Sequence, residues 1–233
     1  MSRSEDSLPA VIAVVGCDGA GKSTLAADLA ARLGAERAVR SLYLGQSSGN
    51  ILRAIVRVPL FGPAIGNYLK RRSERTHVKQ QNSTTPDALS ALVVYLLSRW
   101  RFHKFGQMLA LQREGVLVIT DRYPQVEVTG FYFDGPGLDP AGASGFVGWL
   151  TALESDLYRR MARHVPTLII RLDVDAATAH GRKPDHELAM LRDKVRVLPT
   201  LAFNGATIVA LDGRAPYRQI ADEALAATRA ALA

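Results

Sequence analysis

Short, nearly continuous apolar runs alternate along the chain with longer stretches of helical period. Such a run is typical of a strand covered on both faces, and its alternation with helices is typical of parallel strands joined by crossover helices. The pattern therefore predicts an α/β fold. Its five predicted strands are residues 10–15, 39–44, 116–120, 167–174 and 207–211.

Apolar residues three or four positions apart mark the stretches between these strands. In the first of them Leu25, Leu29 and Leu33 share one helical face, and Gly34 follows as a helix end. Asp175 is predicted to cap a short helix after the fourth strand. The longer predicted helices are residues 22–33, 88–113, 145–162, 187–198 and 217–232.

The domain organisation follows from the irregular segments. The polar residues 1–9 are predicted to be a mobile leader, and residues 10–233 a single domain. Two irregular segments interrupt it, one at about residues 46–83 and a Gly- and Pro-rich loop at residues 135–144. Each flank of both segments supplies strands to the same predicted sheet, so neither is predicted to link separate domains.

Composition supports a globular protein of the cytoplasm. The chain has 233 residues, of which 48% are hydrophobic and 22% are charged. Cys17 is its single cysteine, which excludes an intrachain disulfide and favours a reducing compartment. Its five histidines are too scattered for a zinc pattern, and no run reaches the length of a membrane-spanning helix.

The net charge of +7 is concentrated in one stretch, because residues 51–80 hold seven basic residues and one acid. A solvated face or mobile connection, an anion-binding surface and a weak contact with a membrane surface are the three interpretations of this stretch. Binding of nucleic acid is not predicted, since no recognisable motif of that kind accompanies the basic cluster.

Residues 16–23 read GCDGAGKS and match the phosphate-binding loop GxxxxGK(S/T). The match follows a predicted strand and opens a helix, so backbone N–H groups can surround phosphates at the positive end of the helix. Lys22 would neutralise phosphate oxygens, and the Ser23 hydroxyl would bind Mg²⁺. The residues predicted to bind the nucleotide are Gly16, Asp18, Gly19, Ala20, Gly21, Lys22, Ser23 and Thr24.

Acidic and basic residues near this loop predict a phosphoryl acceptor opposite it. Asp18 would be repelled by a triphosphate, so it is expected to hold an acceptor hydroxyl, or else to stabilise the turn. Asp121, Arg122 and Tyr123 follow the third strand, at the edge where ligands bind an open parallel sheet. Asp121 would bind Mg²⁺ or orient the acceptor, Arg122 would bind an anionic group, and Tyr123 would pack on a ring. A structural salt bridge is the alternative for the Asp–Arg pair.

A basic lid is predicted at about residues 181–192. Phosphoryl transfer needs cations around the transferred group, and the phosphate loop contains no arginine. Arg182 is the predicted catalytic cation, with Lys183 as an acceptor-binding residue and Arg192 as a further candidate. An exposed basic turn is the alternative.

Residues 16–24, 115–123 and 172–175, followed by the basic lid, together resemble thymidylate kinase and its relatives among the nucleoside monophosphate kinases. The resemblance implies a three-layer α/β/α P-loop NTPase fold, ATP and Mg²⁺ as cofactors, and transfer of the γ-phosphoryl group, in thymidylate kinase to dTMP. It also implies an acceptor-binding arginine in the long helix before the third strand, where this chain has Arg99 and Arg101.

Two segments depart from the thymidylate kinase pattern. Residues 42–50 read LYLGQSSGN where that family has an Arg-Glu-Pro-Gly-like segment, and residues 124–136 lack its Ser-x-x-Ala-Tyr-Gln-like segment. The acceptor therefore stays open between dTMP or another monophosphate and a sugar or glycolipid intermediate. A nucleotide-switched binding protein with slow ATPase activity is the alternative of another class, and a homodimer is compatible with the sequence.

Overall fold

The computed structural model describes residues 10–46, 86–130 and 133–233. The predicted leader at residues 1–9 and the basic stretch at residues 51–80 lie outside the described residues.

Five parallel strands form one sheet in the order β2-β3-β1-β4-β5. The central strand β1 is buried along its whole length, as expected of a strand with helices on both faces. The predicted α/β fold class is confirmed, and each strand lies within one or two residues of its predicted position. The strands are β1 (Val11–Gly16), β2 (Val39–Tyr43), β3 (Leu117–Asp121), β4 (Leu168–Asp173) and β5 (Ile208–Asp212).

The predicted helices are also present. Asp175 caps its helix as predicted, because its carboxylate accepts a hydrogen bond from the Thr178 N–H at 2.7 Å. Within the described ranges no helix is long and apolar enough to cross a bilayer. The helices are α1 (Lys22–Leu33), α2 (Ala88–Arg113), α3 (Gly145–Ala162), α4 (Ala176–Arg182), α5 (Leu188–Val197) and α6 (Tyr217–Leu232).

Strand register gathers the candidate site at one edge of the sheet. In β1, Val14 lies beside Asp121 of β3, and Gly16 lies beside Leu172 of β4. The carboxyl ends of these three parallel strands therefore meet where the phosphate loop begins. Helix α1 packs on β1, β2 and β3, while α2 and α3 pack against each other, with α2 also against β3.

A buried carboxylate fastens the Gly- and Pro-rich loop to the α2–α3 layer. Glu154 of α3 is fully buried and accepts hydrogen bonds from the Ser98 hydroxyl at 2.5 Å and from the backbone N–H groups of Gly137 and Leu138 at 3.0 and 2.8 Å. The loop is therefore held by specific hydrogen bonds rather than by apolar packing alone, and it begins beside Asp134, a residue of the candidate site.

We expect Glu154→Ala to lower the free energy of unfolding by about 3 kcal/mol, because two backbone N–H groups and a hydroxyl lose their acceptor. Urea denaturation followed by circular dichroism measures the change. Asp156→Ala on the same helix is the matched control, since Asp156 makes an ion pair with Arg160 in which both side chains are exposed. Equal losses in the two variants would contradict the anchoring role.

Candidate functional site

The phosphate loop is shaped by glycines that no other residue replaces without strain. Gly21 caps α1 with φ 96°, and Gly19 has φ 85°, both in the left-handed region that favours glycine. A Cβ atom on Gly19 would lie 2.6 Å from the carbonyl oxygen of Ala179 in α4. The loop therefore lies directly against helix α4, which ends where the lid begins.

Lys22 is buried in this loop with its ammonium group close to the backbone. It is 6% exposed, and its Nζ donates to the Cys17 carbonyl at 2.7 Å. Burial, and then the charge of Arg122, lower the pKa of Lys22 to about 8. The side chain is therefore mostly charged at neutral pH, and its hydrogen bond goes to a neutral carbonyl oxygen.

Ser23 and Asp121 form an oxygen pair at the start of α1. The Ser23 hydroxyl donates to Asp121 Oδ2 at 2.5 Å. Among the described residues, the buried Oδ1 of Asp121 has no hydrogen-bond partner. A buried carboxylate oxygen without a partner is costly unless a ligand or ion satisfies it. Hydroxyl and carboxylate oxygens are the ligands that Mg²⁺ prefers, so the pair fits that ion.

Arg122, the residue after β3, forms ion pairs with two carboxylates. Its backbone is left-handed, with φ 73°, and its guanidinium donates to Asp18 Oδ1 at 2.6 Å and to Asp134 Oδ2 at 3.4 Å. Burial on its own would lower the pKa of Arg122, but the charges of Asp134 and Asp18 outweigh it and raise that pKa. Arg122 is thus fixed in place and permanently charged.

Lys194 of α5 is a site residue that the sequence analysis did not select. It is 4% exposed, and its ammonium group donates to Asp18 Oδ2. Burial would raise the pKa of Asp18, but Lys194, Arg122 and Lys22 outweigh it and hold that pKa well below its usual range. The available signal was the position of Lys194 between Leu191 and Leu198 on the buried face of a helix, where a lysine needs a partner.

The lid residue Arg182 reaches the phosphate loop, and Lys183 lines the cavity beside that loop. Arg182 Nη1 donates to the carbonyl of Gly213 at 3.0 Å and to that of Gly19 at 3.4 Å, so it joins the loop after β5 to the phosphate loop. Arg192 is exposed on α5 and does not line the cavity.

A cavity of about 470 Å³ opens between the phosphate loop, the end of β3 and the lid. Gly16 and Ala20 belong to the loop but do not line this space. The structure thus brings together most of the residues predicted for nucleotide, metal and catalysis. The lining residues are Asp18, Gly19, Gly21, Lys22, Ser23, Thr24, Tyr43, Asp121, Arg122, Arg182 and Lys183.

The structure does not bring three predicted acceptor residues to the cavity. Tyr123 is 2% exposed, and its hydroxyl donates to the His164 carbonyl at 2.5 Å, so its ring packs in the core rather than on an acceptor. Arg101 is fully buried and pairs with Asp134 at 3.1 Å, which makes it a support for the carboxylate that also holds Arg122. Arg99 is exposed and does not line the cavity.

A parallel sheet in this strand order, with a GxxxxGK(S/T) loop after its first strand, is the arrangement of P-loop α/β proteins. No protein-family model matches the chain. The chain is 51% identical over 223 residues to YghS of Escherichia coli K12, covering 95% of this chain and 93% of YghS. It is 40% identical over 218 residues to YghR of the same strain, covering 93% of this chain and 86% of YghR. Both are described as uncharacterized ATP-binding proteins.

The chain belongs to the family of YghS and YghR. The narrower likeness to thymidylate kinase stays a prediction.

We expect Gly19→Ala to lower the free energy of unfolding by about 1–3 kcal/mol, because the new methyl group meets the Ala179 carbonyl and φ is left-handed. Gly181→Ala, within α4 itself, is the matched control, because a Cβ there meets nothing within 4 Å. That substitution should gain up to about 1 kcal/mol from helix propensity. Thermal unfolding of both variants measures the contrast, and a neutral Gly19→Ala would contradict the described contact.

Proposed function

We propose that the protein is an ATP-dependent phosphotransferase, similar to thymidylate kinase, that moves the γ-phosphoryl group of ATP to a small-molecule acceptor. The observation that carries the proposal is the cavity between Lys22, the Ser23–Asp121 oxygen pair and the two arginines Arg122 and Arg182. The description of YghS and YghR as ATP-binding proteins supports ATP as the donor.

The phosphate loop would hold the triphosphate. The backbone N–H groups at the start of α1 would bind phosphate oxygens, as helix N-termini do in such loops, and Lys22 would supply the charge that balances them. Ser23 and Asp121 would hold Mg²⁺, which fits the unpaired Oδ1 of Asp121. When bound, Mg²⁺ neutralises charge on the phosphate oxygens.

Arg182 and Arg122 would act on the two sides of the transferred group. Arg182 lies beside the loop, hydrogen-bonded to the Gly19 and Gly213 carbonyls, and its guanidinium would turn to the γ-phosphoryl group by exchanging these neutral acceptors for phosphate oxygens. A cation there stabilises the charge that spreads over the transferred group. Arg122 faces the cavity from the end of β3 and would orient the acceptor.

For the acceptor, dTMP is the first compound to test, and a sugar or glycolipid intermediate is the second. The sugar is favoured by the burial of Tyr123 and Arg101, two of the residues predicted to bind a nucleotide acceptor. Acceptors that bind the folded protein raise its melting temperature in the presence of a non-hydrolysable ATP analogue and Mg²⁺. A thermal-shift screen of monophosphates and sugars therefore narrows the class.

We expect Lys22→Ala to lower phosphoryl transfer by at least about a hundredfold while the fold is kept, because the loop backbone does not need this side chain. A radiolabelled γ-phosphate assay measures the loss, and circular dichroism checks the fold. Arg218→Ala removes a cation whose side chain is 94% exposed and serves as the matched control. Unchanged transfer in the Lys22 variant would refute the assignment.

Acceptor dependence separates this proposal from a nucleotide-switched binding protein. We expect phosphorylated product only when a suitable acceptor is supplied, because the cavity opens opposite the loop. Slow release of inorganic phosphate at the same rate with and without every acceptor would favour the switch.

A further inference from the structure

We propose that Lys194 is a positioning residue of the phosphate loop: it occupies the carboxylate of Asp18, so that Lys22 stays available for phosphate. The inference rests on the proposed binding of a triphosphate in the loop. It gives a role to a buried lysine that lies outside the phosphate-loop motif.

Helix α5 lies against Cys17 and Asp18 of the phosphate loop. The Cys17 Sγ is 3.9 Å from the Leu191 carbonyl, and Lys194, one turn further along α5, donates to Asp18 Oδ2. Lys194 reaches the loop from a helix that begins more than 160 residues later in the chain, so only the tertiary fold creates this pair.

Asp18 is an electrostatic hazard for a phosphate loop. Its carboxylate repels phosphate, and its Oδ1 lies 3.8 Å from Lys22 Nζ, close enough to compete for that ammonium group. In the structure both carboxylate oxygens are already engaged, Oδ1 by Arg122 and Oδ2 by Lys194. Lys22 therefore donates to the Cys17 carbonyl, a neutral acceptor that phosphate can replace.

Without Lys194, Arg122 would still donate to Asp18 Oδ1, but Asp18 Oδ2 would have lost its ammonium partner. His186 Nδ1 lies 3.8 Å from Asp18 Oδ2, which is beyond hydrogen-bonding distance, so it is a weaker replacement. Lys22, whose Nζ lies 3.8 Å from Asp18 Oδ1, is then the ammonium group that can move to this carboxylate. Its rotation to the carboxylate would remove the ammonium group from the phosphates and leave a less balanced negative charge beside them.

The test is calorimetric binding of the magnesium complex of AMP-PNP, a non-hydrolysable ATP analogue, to the full chain. We expect Lys194→Met to bind about tenfold more weakly at pH 7. Arg196→Met is the matched control, since it removes a cation from the same helix whose side chain is 78% exposed. It should bind like the unsubstituted protein.

A double variant distinguishes a charge effect from loss of packing. Asp18→Asn/Lys194→Met removes the carboxylate together with its partner, so we expect it to bind the analogue more tightly than Lys194→Met and as tightly as Asp18→Asn. The comparison with Asp18→Asn holds even when Lys194→Met does not fold. An affinity in the double variant below that of Asp18→Asn, or an unchanged affinity in Lys194→Met, would overturn the proposal.

The failure of the proposed function is seen separately. If the unsubstituted protein binds the analogue but phosphorylates no acceptor, the transfer proposal fails and the role of Lys194 is still decided by binding. If it binds no analogue, both fall.

Discussion

The carboxylate of Asp18 is the point at which three parts of the molecule meet. It belongs to the phosphate loop, and it is held by Arg122 from the end of β3 and by Lys194 from α5. Burying a carboxylate is costly unless every oxygen has a charged or hydrogen-bonding partner, and removing one partner of such a pair is expensive. The positions of helix α5 and of Arg122 therefore depend on the conformation of the phosphate loop.

A second buried network of hydrogen bonds and ion pairs connects Arg122 to helices α2 and α3. One carboxylate oxygen of Asp134 accepts a hydrogen bond from Arg122, and the other accepts one from Arg101. Arg101 in turn contacts the hydroxyl of Tyr158 in α3. Glu154 then fixes the loop that follows Asp134. These contacts are directional, so they select one arrangement of the α2–α3 layer where apolar packing would permit several. Asp134 thus links the α2–α3 layer to Arg122 at the end of β3.

Much of the fold could be predicted because local pattern and tertiary burial agree. The buried β1 and the Leu25–Leu29–Leu33 face of α1 have the periodicity of their final environments, and the phosphate loop is a contiguous motif. The burial of Lys194 could be inferred from the helical pattern, but the partners of Lys194 and Asp134 could not, since each partner lies far away in sequence. Tyr123 was expected at the acceptor and lies in the core, where its ring packs against Phe105 and its hydroxyl donates to the His164 carbonyl.

The central claim is that the turn after β1 holds the triphosphate of ATP and directs its terminal phosphate to the crevice beneath Arg122 and Arg182. A crystal structure of the protein with AMP-PNP and Mg²⁺ tests it most directly. The account predicts Lys22 Nζ within hydrogen-bonding distance of phosphate oxygens, Mg²⁺ beside Ser23 and Asp121, and an open crevice facing the γ-phosphate. A triphosphate bound elsewhere, or a γ-phosphate facing closed side chains, would contradict it.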